Sequence, residues 1–98
     1  MKDQYDIRKE IDATYELMDE GDDVEKEKIN ALEWVIGQMD PPTDGIKGTG
    51  KLATEDEVKK CIELLRRERK EIPEYSFFGD SNWKTIDAQI EVLEWALS

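Results

Sequence analysis

The stretch Ile29-Asn30-Ala31-Leu32-Glu33-Trp34-Val35-Ile36 decides how this chain folds, because its pattern returns near the other end as Ile90-Glu91-Val92-Leu93-Glu94-Trp95-Ala96-Leu97. On a helical wheel at roughly 100° per residue, Ile29, Leu32, Val35, Ile36 and Met39 form one apolar stripe and Ile86, Ile90, Leu93 and Leu97 form another. In both copies the Trp falls outside its stripe. A large aromatic at the same off-stripe angle in two helices requires either a wide buried arc or a second surface to cover. The copies lie too far apart for a solenoid unit and fit a pseudo-duplicated helical hairpin. The plainer reading is two amphipathic helices drawing on the same few residue types.

Working outward from these helices, the spacing of Ile7, Ile11, Thr14 and Met18 predicts an earlier helix, ended by Gly21. Asp22 stands three residues before Glu25, as in a capping box, and opens the helix that carries Trp34. The short connection between them predicts an antiparallel hairpin. Residues 40–53 hold two Pro and three Gly, which breaks the pattern and predicts a long, mobile loop. Thr54-Glu55-Asp56-Glu57 is a second capping-box sequence, and Val58, Cys61, Ile62 and Leu65 carry a third helix toward Lys70. Pro73 marks its end. An aromatic connector with Tyr75, Phe77 and Phe78 follows, the two Phe expected to seal the core. Asp80, Ser81 or Asn82 can cap a last helix whose Trp83 lies in the main stripe. The expectation is one all-α domain, a bundle or two packed helical hairpins, with helices near about residues 3–20, 23–39, 54–70 and 82–97.

Composition narrows function more by exclusion than by indication. Histidine is absent, which removes the commonest general base and metal ligand. Cys61 is the only cysteine, so neither an internal disulfide nor a zinc–cysteine cluster fits; its place beside Val58 and Ile62 predicts a buried thiol. The formal net charge of −11 argues against binding nucleic acid or an anionic membrane and favours basic partners. The first residues lack the apolar run of a signal peptide, and no apolar stretch is long enough to span a bilayer, so a cytoplasmic location is expected.

Three apparent motifs weaken on inspection. Gly45-Ile46-Lys47-Gly48-Thr49-Gly50-Lys51 matches the start of a phosphate-binding loop, but Leu52 stands where magnesium needs a hydroxyl, and no strand is predicted before it. The carboxylates between Glu16 and Glu27 suggest calcium, yet aligning Gly21 with the turn glycine of an EF-hand puts Met18 at a ligand position. A solvated acidic corner is the simpler account. Between Val58 and Lys70 six cations, Lys59, Lys60, Arg66, Arg67, Arg69 and Lys70, stand against only Glu63 and Glu68. They spread over several faces without interleaved aromatics, which suits internal counter-ions better than a nucleic-acid contact.

The phrase Ala31-Leu32-Glu33-Trp34-Val35-Ile36-Gly37 resembles a helix-ending signature of small, uncharacterised all-α accessory proteins of tailed phages and prophages. The resemblance covers about nine residues, and the second copy departs from it by ending in Ser98. It implies a compact, cytoplasmic accessory protein that acts by contact.

These readings converge on a non-enzymatic, acidic protein–protein interaction module without cofactor, metal or catalytic residues. Its partner would be a basic host protein or a second copy in a homodimer. The residues expected to bind it are Trp34 and Trp95, read as lying at the margin of the core, with the adjoining Glu33 and Glu94, and the acidic corner Asp19, Glu20, Asp22 and Asp23. The alternative is an acidic mimic of nucleic acid that inhibits a nucleic-acid-binding enzyme.

Overall fold

The computed structural model describes residues 1–18, 23–43, 45–48, 50–71 and 80–98, the first four of the last segment by backbone alone. It contains four helices, α1 (Gln4–Leu17), α2 (Asp23–Val35), α3 (Glu55–Glu71) and α4 (Asp80–Leu97), and no strand among the described residues. The chain is thus a small all-α four-helix domain. The expected Asp22 cap, the Gly21 stop, the aromatic connector and the side chain of Trp83 lie outside the described residues.

Each described helix boundary has a local cause. The N–H of Asp6 donates to the Asp3 carboxylate at 2.9 Å, and Asp3 is extended, so it caps α1. Thr54 and Glu57 form the reciprocal capping box of α3: the Glu57 N–H donates to the Thr54 hydroxyl at 3.2 Å, and the Thr54 N–H donates to the Glu57 carboxylate at 3.0 Å. Helix α2 stops at Val35, four residues short of the expected end. Gly37 takes φ +81°, its N–H donates to the Trp34 carbonyl at 2.9 Å, and the Gln38 N–H donates to the Glu33 carbonyl at 2.8 Å. Those two bonds are the pair that defines a Schellman stop. Met39 therefore leaves the predicted stripe and is 39% exposed. Helix α1 likewise ends earlier than expected, where Met18 turns extended.

The helices pack as two hairpins joined through their second members. Helix α2 lies against α4, α1 against α2, and α3 against α4. Position in this arrangement explains the buried arcs. The outer helices bury narrow stripes, Ile7, Ile11 and Thr14 on α1 and Val58, Cys61, Ile62 and Leu65 on α3. The inner helices are covered from two sides, so α2 buries Ala31 and Trp34 as well as Ile29, Leu32 and Val35. Trp34 is only 3% exposed, which corrects its expected place at the core margin. The wide-arc alternative holds for this helix.

Helix α4 adds a second correction. Its most buried positions are Ala88, Gln89, Val92, Leu93 and Ala96, while Ile86, Ile90 and Leu97 of the predicted stripe are partly buried and pack on the core's edge. The centre of the buried face is turned by roughly 90° from the stripe of large side chains, at 100° per residue. Small side chains let helices approach closely, so Ala88 and Ala96 mark the interior better than bulk does. Gln89 lies within this face at 4% exposure, and its amide donates to the Glu27 carboxylate of α2 at 3.0 Å. No buried side-chain polar atom is left without a partner among the described residues.

Described residues of the loop between α2 and α3 contact the helices on either side of it. The Ala53 N–H donates to the Val35 carbonyl at 2.7 Å, so the loop closes onto the helix end it left. The Thr43 hydroxyl donates to the Glu68 carboxylate of α3, and Ile46 packs on the core. At Gly37 a Cβ would lie 2.6 Å from the backbone nitrogen of Lys51, whereas at Gly50, also left-handed at φ +69°, it would meet nothing. Gly37→Ala is therefore expected to lower the unfolding free energy by more than about 2 kcal/mol, and Gly50→Ala by only about 1 kcal/mol. Urea unfolding followed by far-ultraviolet dichroism measures both.

Candidate functional site

Two of the six cations of α3 reach across to α4. Arg66 donates to Glu94 at 2.5 Å and Arg69 to Asp87 at 3.2 Å, while Lys59 meets Glu55 on its own helix at 3.1 Å. The Lys59 hydrogen bond, then its charge, holds the Glu55 carboxyl below its ordinary value. Partly exposed pairs of this kind contribute at most about 1 kcal/mol each. Their larger effect is on charge distribution: they pair Arg66 and Arg69 with carboxylates of α4 along the α3–α4 seam.

Helices α1 and α2 and the C-terminal half of α4 enclose an open groove of about 380 Å³. Its apolar floor is Ala13 and Leu17 from α1 and Val92 and Trp95 from α4; its acidic rim is Glu10, Glu25 and Glu91. Lys28 sits on the rim and pairs with Glu25 at 3.4 Å. Thr14 also lines it, but its hydroxyl donates to the Glu10 carbonyl at 2.8 Å. Trp95 is half-buried, and Leu17 is 80% exposed. A second depression adjoins the groove, sharing Glu10, Ala13 and Trp95 and lined also by Lys2, Asp6 and Lys9. There the Lys2 ammonium stands 5.3 Å from the centre of the Trp95 ring, and the Lys2 N–H donates to the Ala96 carbonyl at 2.7 Å. The indole thus already holds a cation on one flank.

The residues expected to form one binding patch are dispersed. Trp95 belongs to the groove. Trp34 is buried and offers no surface, Glu33 is half-buried near the end of α2, and Glu94 is engaged by Arg66 toward α3. Asp23 is exposed in the first turn of α2, while Asp19, Glu20 and Asp22 lie outside the described residues. What the sequence reading missed is the edge of α1. Glu10, Ala13 and Leu17 recur at steps of three and four and so share a helix edge, a signal visible in sequence but masked by the larger stripe beside it.

The Gly-Lys run does not open a helix, because α3 begins at Glu55. A second acidic hollow, with Glu27, Glu68 and Glu71, is partly answered by Gln89 and Thr43. Among the described residues no group of side chains could hold a metal ion, and no helix is long and apolar enough to cross a membrane. Comparison of the chain with protein-family models, curated proteins and solved structures yields no match.

Cys61 is fully buried, and burial, followed by the charge of Glu68, pushes its thiol up to about 12 from an ordinary 9.0. The unfolded chain then loses this proton first as pH rises. The stabilising contribution is complete below about pH 9 and is lost toward about pH 12. Native protein at pH 8 should react slowly with a disulfide reagent, at a rate that tracks urea unfolding. Between pH 9 and 12 the urea midpoint should fall more steeply for the wild type than for Cys61→Ala.

Proposed function

We propose that this chain is a small, acidic, non-enzymatic module that acts by binding another protein. The observation that carries the reading is the carboxylate-rimmed groove beside a half-buried Trp. An indole at the margin of a groove is the side chain most often found to anchor an interface. A basic host protein is the complementary partner, met in the cytoplasm, where a lone buried thiol stays reduced. A phage or prophage setting accords with the helix-ending signature around Trp34.

The chain has no histidine, and its one cysteine is buried with a raised pKa, so neither supplies a nucleophile or base. A second reading, imitation of nucleic-acid charge, draws on the exposed carboxylates Asp6, Asp12 and Glu16 along α1. It differs in requiring a nucleic-acid-binding enzyme as the target and a steep salt dependence.

Chemical cross-linking in host cells, followed by reconstitution with the purified partner, tests the module reading. A 1:1 complex with a basic protein that lacks nucleic-acid-binding activity is the expected outcome. A complex only with a nuclease or polymerase would favour the mimic, and turnover of any substrate by the purified chain would overturn both. No mobility shift of duplex or single-stranded DNA is expected at low salt.

A further inference from the structure

We infer that the groove between α1, α2 and α4 receives a basic amphipathic helix of a partner protein, apolar residues on its floor and Lys or Arg on its rim. The inference rests on the interaction-module reading and specifies its site and ligand. Three observations converge on this occupant. The floor combines large and small apolar groups, and the small side chain of Ala13 leaves room for another helix to approach along α1. Carboxylates flank the floor on all three helices, and among the described residues neither Glu10 nor Glu91 has an ion-pair partner. Trp95 lines the groove and already holds the Lys2 ammonium 5.3 Å from its ring centre, so the chain itself demonstrates the cation contact that a partner side chain would repeat.

An apolar strip bordered by acid is the complement of a helix with apolar residues at i, i+3, i+4 and i+7 and cations beside them. A purely apolar segment would strand the rim carboxylates, and a purely cationic one would leave Leu17 and Val92 uncovered.

The test titrates the full chain with a labelled Leu/Lys peptide of about 18 residues, long enough to form a helix on binding. An oligolysine of equal length and a Leu/Glu peptide serve as comparisons. Saturable 1:1 binding is expected for Leu/Lys alone. Glu91→Lys and Glu10→Lys should each weaken it about tenfold. Ala13→Tyr, which fills the groove without altering charge, should do the same, and Glu63→Lys on the exposed side of α3 should not. These positions are exposed or half-exposed, so native dichroism of each variant verifies folding.

Equal weakening by Glu63→Lys, or equal binding of oligolysine, would overturn the groove and reduce the interaction to general attraction, while the module reading survives. Binding unaffected by Ala13→Tyr would overturn it too, and so would failure of Leu/Lys to bind. A dimer of the chain alone that Glu91→Lys dissolves would make a second copy the occupant and overturn the heterologous partner.

Discussion

The contact between α2 and α4 is the constraint on which the rest of the molecule depends. A chain of this size and charge has little apolar material, so it must place that material where each side chain is covered from more than one direction. Two inner helices satisfy this. Each is met by its twin on one side and by an outer helix on another, and Leu32 and Leu93, at equivalent places in the repeated stretch, are both completely buried. Full burial of such a side chain contributes about 1.5–3 kcal/mol, whereas the exposed ion pairs around the perimeter contribute much less.

The perimeter accordingly does other work. With Arg66 and Arg69 held by Glu94 and Asp87, two of the three arginines of α3 neutralise the α3–α4 seam. Between α1, α2 and α4 the carboxylates Glu10, Glu25 and Glu91 border the groove. Electrostatics here distributes recognition over the surface more than it stabilises the fold, as expected of pairs exposed to water and salt.

The two Trp residues show how one pattern acquires two roles. Trp34 lies just before a Schellman stop, and beyond that stop the chain folds back until Ala53 is hydrogen-bonded to Val35. Trp95 lies at the end of α4, where the neighbour is the extended segment around Lys2, which leaves the ring half-buried and open to the groove. The same indole, at the same helical angle, is core in one copy and margin in the other.

By itself the sequence determined the four helices, the Thr54–Glu57 capping box of α3, the narrow stripes of α1 and α3, and the special status of the repeated stretch, because periodicity and hydrogen-bond chemistry within a turn are local properties. Gly37 was equally legible as a stop, though the apolar Met39 beyond it hid the signal. Only the tertiary structure decided that the alanine face of α4 is the interior, that Trp34 is sealed, that Ala53 bonds back to Val35, and that Glu10, Ala13 and Leu17 line one groove with Trp95. Each of those facts depends on what lies opposite a side chain, and the identity of that neighbour is fixed by the packing of distant segments.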